Sequence, residues 1–291
     1  KQLGEILFDK LELVGKNMKK TSGGARSTKE SELEKLRDLH PIVPLIFEYR
    51  ELSKLLSTYI DAIPPLLDEK DRLHSHFVSA GTTTGRMASI DPNLQNIPVK
   101  TDLGKAIRGA FVASEGYKLC SFDYSQIELR VLAYLSGDPV LLDAFRQGID
   151  IHTLTASSLF DVAPFAVNHE MRQIGKRINF SVLYGLTPYS LSKDLKISLI
   201  DAKKYIVKFF AQYPGVQKWM DEIVKNATEC GYVKTLGGRR RYVPGLREKN
   251  KNLYDAAKRI AINTVVQGTA AELVKKGMLD LAGSLKKYDA Q

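Results

Sequence analysis

The stretch Asp123-Tyr124-Ser125-Gln126-Ile127-Glu128-Leu129-Arg130 decides how this chain is read. It follows a segment, Tyr117 to Phe122, whose apolar members Leu119, Cys120 and Phe122 and leading Glu115-Gly116 turn predict a strand. That strand delivers Asp123 at its C-terminal end, and a turn then leads into a helix. A carboxylate so placed suits Mg²⁺, which takes one or two carboxylates together with substrate phosphates. A lone strand-end Asp is more often only a turn residue, so the weight rests on the whole octapeptide and on what surrounds it.

Downstream, Arg172, Lys176, Phe180 and Tyr184 recur every four residues and are followed by Gly185. On a helix each such step drifts by ~40°, which lays the four side chains along one slowly turning stripe. Cations at this spacing repel by a few tenths of a kcal/mol, and Arg177 adds to the strain. The plain alternative is a solvated basic face, and Phe180 and Tyr184 alone read as core. The stripe passes directly from cations to aromatics, however, which suits a ligand with phosphates at one end and a base or sugar at the other.

Upstream lie Thr84-Gly85-Arg86 and Asp91-Pro92-Asn93-Leu94-Gln95-Asn96-Ile97-Pro98. Arg, Asn and Gln on a Pro-bounded loop can donate to base edges and phosphates; a self-satisfied structural loop is the alternative. Further on, Lys234 to Arg259 holds nine Lys or Arg against Glu248 and Asp255. Phosphate-backbone contact is the natural use of such a concentration. The segment runs into Arg259, Asn263 and Gln267, again four apart, beside Val265, Val266 and Ala270. A solvent-facing reading of that trio stays open.

Composition sets the bounds. The 291 residues are 44% hydrophobic and 26% charged, ordinary for a soluble globular chain, and the length suggests about two domains at ~150 residues each. Lys and Arg number 43 against 33 Asp and Glu, a net charge of +10 that favours polyanionic partners, nucleic acid first. Cys120 and Cys230 have no CxxC spacing, which excludes a disulfide framework or cysteine zinc site and points to a reducing compartment. No apolar run is long enough for a transmembrane helix. The charged N-terminus is not a signal peptide and has no initiator Met, so the chain is expected to start inside a longer protein.

The remaining elements follow from periodicity and punctuation. Leu3, Ile6, Leu7 and Leu11 predict a helix. A basic loop follows, with Lys16, Lys19, Lys20, Gly23, Gly24 and Arg26. Ser27 and Glu30 read as a capping box opening a helix that ends near His40, before Pro41. A second helix is expected from about Val43 to Ile63, stopped by Pro64-Pro65. Arg72 to Ala80 is strand-like and Thr82 to Thr101 irregular. The chain is then mainly helical to Val233, with breaks at Pro139, Pro164, Pro188 and Pro214. A tight hairpin at Gly237-Gly238-Arg239-Arg240-Arg241 and a long helix from about Leu253 to Lys286 complete it.

These segments together resemble the polymerase domain of family A DNA polymerases, the bacterial DNA polymerase I type. DYSQIELR is similar to the family's motif A, and Arg172, Lys176, Phe180 and Tyr184-Gly185 to its motif B. TGRMASIDPNLQNIP resembles the primer–template segment, and RIAINTVVQGTAAE the palm helix beside duplex DNA. The resemblance implies an α+β fold of right-hand polymerase architecture: helical thumb, antiparallel-sheet palm and mainly helical fingers, with the palm incomplete at the C-terminus. It assigns residues 1–71 to part of the thumb, 72–128 to the first part of the palm, 129–250 to the fingers and 251–291 to the palm helix. The thumb's basic tip, around Lys16 to Lys20, would grip phosphates.

Carried over residue by residue, the resemblance makes Asp123 the ligand of two Mg²⁺ ions, with the Tyr124 carbonyl assisting. Glu128 would be the steric gate against a ribose 2′-OH. Arg172 and Lys176 would hold the triphosphate, with His152 and Gln126 nearby, and Lys176 would protonate the leaving pyrophosphate. Phe180 would pack on the incoming sugar and base, and Tyr184 would stack near the templating position. Arg86, Asn93, Gln95, Asn96, Arg259, Asn263 and Gln267 would line the minor groove, where acceptors are shared by all base pairs. The partners implied are primer–template DNA and dNTPs, for a monomer without membrane contact, cytoplasmic and nucleoid-associated. The implied reaction is in-line attack of a primer 3′-OH on the dNTP α-phosphate. The family's His-Asp-Glu motif, which supplies a second metal-binding Asp, is expected beyond Gln267 but does not occur in the sequence. The chain is therefore expected to be a fragment truncated at both ends that polymerises poorly or not at all alone. Two alternatives stand: a single-subunit RNA polymerase relative, opposed by Gln126-Ile127-Glu128, and a DNA-binding fragment without catalysis, opposed for the parent protein by Asp123, Arg172, Lys176 and Tyr184.

Overall fold

Pro139, Pro164, Pro188 and Pro214 each open a helical segment. At the first helical position the missing N–H would have had no partner anyway, and proline's φ is already helical. The computed structural model describes residues 2–286 apart from 16, 22, 100 and 186. The chain divides into two units, residues 1–76 with 89–119, and residues 77–88 with 120–291. The fold is α+β, mostly helical, with two small two-stranded sheets among the described residues.

In the first unit, α1 (Gln2–Glu5) continues as a wider turn over Ile6–Lys10. Next come α2 (Glu30–Leu33), α3 (Ile42–Leu55) and α4 (Asp102–Gly109). Leu7, Leu33, Leu36 and Val43 form a fully buried core. The expected capping box is absent. The helix starts at Glu30, so Lys29 is its N-cap, and the Ser27 hydroxyl instead accepts the Lys29 N–H at 3.3 Å, a local turn that competes with capping. The helical run also stops earlier than expected, in a 3₁₀ turn over Glu34–Leu36. Glu32 provides the tie: its Oε2 accepts the Lys19 N–H at 2.9 Å and Lys35 Nζ at 2.6 Å. Lys19 and Lys20 are exposed, while Lys16 of the expected basic tip lies outside the described residues.

Two short paired strands, β1 (His76–Val78) and β2 (Ala88–Ile90), carry the chain between the units. The strand expected over Tyr117 to Phe122 does not form. The segment is irregular and its apolar side chains are exposed, Phe122 at 78%. Among the described residues no strand pairs with it, and a β-prone sequence without a ladder partner stays extended coil.

The second unit builds a helical body from α5 (Ile127–Ser136), α6 (Pro139–Arg146), α7 (Ile151–Phe160) and α8 (His169–Leu183). Helices α9 (Pro188–Leu195), α10 (Leu199–Gln212) and α11 (Pro214–Cys230) follow. The hairpin of β3 (Tyr232–Lys234) and β4 (Arg240–Tyr242) is antiparallel, with Val233 opposite Arg241. Then α12 (Lys251–Leu285) runs 35 residues, about 50 Å. Leu129, Leu132, Ile178, Phe209, Tyr213 and Val266 centre one continuous core. The wholly buried Asp138 carboxylate caps α6 through the Val140 and Leu141 N–H groups, both at 3.1 Å, and accepts the Gly215 N–H of α11 at 2.9 Å.

Helices α7 and α8 meet at Gly175. A Cβ there would stand 2.4 Å from the His152 carbonyl oxygen and 3.0 Å from the Ala156 nitrogen, both backbone atoms that cannot swing aside. Gly175→Ala should therefore force α8 off α7 and destabilise the chain by about 1–3 kcal/mol, the range for overpacking a filled core. Urea denaturation monitored by circular dichroism measures this; a midpoint equal to wild type would refute the close-packing argument.

Candidate active site

Gln126 precedes α5 with left-handed backbone angles, φ 56° and ψ 36°, sparsely populated for a non-glycine residue. The turn points Glu128 inward, where it is buried to 8% exposure. A buried carboxylate must be paired, and this one is. Its Oε2 accepts the Tyr184 hydroxyl at 2.8 Å, and its Oε1 accepts Arg86 Nη2 in an ion pair. Three segments far apart in sequence thus converge on one side chain: the Thr84-Gly85-Arg86 loop, the start of α5 and the end of α8. Tyr184 is the C-terminal cap of α8. Burial first, then the Glu128 contact, pushes its phenol above the ordinary range.

Gly185 follows with φ +76°, and a Cβ there would fall 1.9 Å from Arg259 Cγ. Arg259 of α12 thus lies across the end of α8. Within Ala261–Ala271, Asn263 and Gln267 alone are not buried. Both are partly exposed, as the solvent-facing reading expects, on a stretch whose other residues are buried. Among the described residues, neither side-chain amide nor the Arg259 guanidinium has a hydrogen-bond partner.

The basic hairpin is fastened to the same helix. Glu272 accepts Thr235 Oγ1 at 2.6 Å and the Gly237 N–H at 2.9 Å, and Thr269 Oγ1 accepts the Leu236 N–H at 3.1 Å. Gly268 allows the approach, since a Cβ would meet Thr235 Cγ2 at 2.5 Å and the Thr84 carbonyl at 3.1 Å. Arg239 in turn lies against Gly85.

On α8, Arg172 donates from Nε to Asp150 Oδ2 at 2.5 Å, and Arg177 donates to the Asp194 carbonyl at 3.3 Å. Lys176 is exposed and has no hydrogen bond or ion pair among the described residues. Phe180 is half-buried against the core, its ring 5.8 Å from that of His152. His152 is itself buried at 3% exposure. Its Nδ1 lies 3.0 Å from Asn179 Nδ2, the Asn179 Oδ1 accepts Thr155 Oγ1 at 2.9 Å, and Thr155 Oγ1 meets the Tyr213 hydroxyl at 2.9 Å. Burial pushes the Tyr213 phenol up to about 12. His152 therefore supports Phe180 from below.

Asp150, Asn179, Thr155, Tyr213 and Glu272 escaped the sequence reading. Only Asp150, a helix-capping residue type just before His152, left a signal there. Asp123 and Tyr124 are exposed. The Tyr124 hydroxyl lies against α12, where a Cβ on Gly277 would come within 2.2 Å of it. Asn93, Gln95 and Asn96 belong to the first unit and are exposed. There Asn93 Oδ1 accepts the Gln95 N–H at 3.0 Å, capping a 3₁₀ turn, and the Asn96 carbonyl accepts the Tyr59 hydroxyl at 2.5 Å.

A family model described as DNA polymerase family A matches residues 1–291. The thermostable DNA polymerase I of Thermus aquaticus is 50% identical over 293 residues, covering 100% of this chain and 35% of that protein. DNA polymerase I of Deinococcus radiodurans is 44% identical over 292 residues, covering 100% of this chain and 30% of that protein. A solved structure described as the POL domain of Pol1 from M. smegmatis, in complex with DNA primer–template and dNTP, is 37% identical with a TM-score of 0.87. It covers 98% of this chain and 50% of that chain. The chain spans about a third of the length of the curated relatives it matches. Among the described residues, no helix is long and apolar enough to cross a membrane.

Burial holds the His152 pKa below its ordinary value; Asp150 opposes this, while Arg172 and Lys176 add to it. The unfolded chain, with this group near ~6.5, binds the proton more readily. The associated stability is present above that pH and is lost as pH falls below it. In urea melts between about pH 7 and 5, His152→Gln should show a flatter loss of stability than wild type. Parallel pH profiles would show that the imidazole is not buried in its neutral form.

Proposed function

The chain belongs to DNA polymerase family A, and from that premise we propose that it holds the incoming nucleotide and the primer–template end for template-directed DNA synthesis. The observation that carries this reading is the Glu128 carboxylate, shared by Tyr184 and Arg86. It joins the end of the cationic–aromatic helix to the loop expected to touch duplex DNA. In this reading Arg172 and Lys176 hold the triphosphate near Gln126, Phe180 supports the sugar and base over His152, and Tyr184 lies by the templating position. Arg86, Arg259, Asn263 and Gln267 of the second unit contact the minor groove; within the first unit, taken by itself, Asn93, Gln95 and Asn96 are the DNA-contacting residues. The regions are assigned as thumb (1–71), palm (72–128 and 251–291) and fingers (129–250).

A hard divalent cation fits the donor chemistry. The Asp123 carboxylate is exposed and unpaired among the described residues, where no group of three metal-ligating side chains occurs. Mg²⁺ tolerates such a sparse set because phosphate oxygens and water complete its shell. Asp123, with the Tyr124 carbonyl, would hold it, and the bound ion would polarise phosphoryl oxygens and neutralise developing charge. The chain's own contribution is positioning and charge stabilisation. Arg172 and Lys176 offer cations to the departing phosphates, and Lys176, without a partner among the described residues, can pass a proton to the leaving pyrophosphate. Glu128 occupies the space that a ribose 2′-OH would need. With Asp123 the one carboxylate assigned to the metal, this chain alone is expected to bind nucleotide and DNA better than it extends a primer.

Two measurements test the assignment. Lys176→Ala should weaken dNTP binding to the chain about tenfold or more, as for loss of a charge-assisted phosphate contact; unchanged affinity would remove Lys176 from the site. In competition binding, wild type should prefer dNTP to rNTP, and Glu128→Ala should narrow that preference about tenfold. An unaltered ratio would end the gate assignment.

A further inference from the structure

We infer that Asp150 is a positioning residue for Arg172, holding the guanidinium by Nε so that both Nη groups are presented to a phosphate. The inference rests on the nucleotide-site reading above and deepens it. Asp150 is the N-cap of α7. Its Oδ1 accepts the His152 N–H at 3.1 Å, and its Oδ2 accepts Thr153 Oγ1 at 2.7 Å and Arg172 Nε at 2.5 Å. Both carboxylate oxygens are therefore tied to the first turn of α7. That helix is locked against α8 at Gly175, one turn beyond Arg172, where there is no room for even a methyl group. The anchor and the arginine cannot drift apart.

A guanidinium has five N–H donors in a fixed fork. Asp150 engages Nε, and neither Nη group makes a hydrogen bond among the described residues. A carboxylate acting as a stand-in for phosphate would occupy the Nη fork, the edge suited to end-on bidentate recognition. Asp150 leaves it open. The two side chains are 37% and 33% exposed, so the pair is accessible to a ligand and its own Coulombic contribution to stability is small. Its effect lies in order: an unrestrained arginine loses rotamer freedom on binding, and this one has already lost it.

Calorimetric titration of the whole chain with inorganic tripolyphosphate and with dTTP tests this. Asp150→Ser keeps a competent helix cap but is too short to reach Arg172. It should weaken both ligands about three- to tenfold, and the effect should vanish in an Arg172→Ala background. Asp150→Asn keeps both the cap and an acceptor for Nε; it should retain most of the affinity, and it serves should the serine variant misfold. Unchanged or tighter binding by Asp150→Ser would overturn the inference, as would an equal loss with and without Arg172, which would mark a structural role. Should wild type bind neither probe, or Arg172→Ala bind as wild type does, the nucleotide-site reading itself falls.

Discussion

A carboxylate removed from water has to be neutralised where it stands, and Glu128 imposes that demand on the second unit. Its side chain is 10% exposed and that of Arg86 50%, so the loss of Arg86 or Tyr184 falls on the carboxylate, the buried group left short of a partner. Arg86 and Tyr184 answer it from opposite directions in sequence, 42 residues before and 56 after. The loop carrying Arg86 and the C-terminal end of α8 are thereby fixed to the first turn of α5. The left-handed Gln126 belongs to the same arrangement, since the sharp entry into α5 is what turns Glu128 inward. A strained residue persists only where its surroundings over-determine it.

Helix α12 provides the second constraint, through what its surface lacks. Gly268 and Gly277 are places where a side chain would strike Thr235 and Tyr124. The hairpin and the motif A segment can therefore lie against the helix backbone, while Glu272 and Thr269 hydrogen-bond the hairpin turn, in which Thr235 is buried and Leu236 and Gly237 are exposed. The Asn263 and Gln267 amides stand out by contrast. They lie on the partly exposed face of an otherwise buried stretch, as in any amphipathic helix, and have no hydrogen-bond partner among the described residues.

Periodicity and punctuation made most of this legible in the sequence. Helix α12, the hairpin and α8 lie close to where spacing, glycines and prolines put them, because each is specified locally. Tyr117 to Phe122 forms no strand because a strand is not a local object: apolar and aromatic content licenses extension, but a ladder needs a partner. The Ser27–Glu30 box failed by a small shift of the helix start, since a cap depends on which residue leaves the helical region first. Within the site, the stripes were visible but their anchors were not. Asn179, Thr155 and Tyr213 are a polar chain sealed in the core, and nothing in their spacing distinguishes them from ordinary helix residues.

The charges along α8 show how a face with three cations can remain a stable helix and still serve a ligand. Arg177 is directed to the Asp194 carbonyl and Arg172 to Asp150, and Lys176 has no partner among the described residues. The repulsion expected from the sequence is offset for the two guanidiniums, whose planar forks suit fixed contacts. It is left in place for the ammonium, a compact and mobile charge. Burial and hydrogen bonding beneath this face, through His152 and Asn179, keep Phe180 on a rigid support. Among the described residues, the helix therefore presents an anchored cation, a cation without a partner and a supported aromatic ring in succession. Ordered charge at one end and flat apolar surface at the other is the pattern that the proposed nucleoside triphosphate would require of a site.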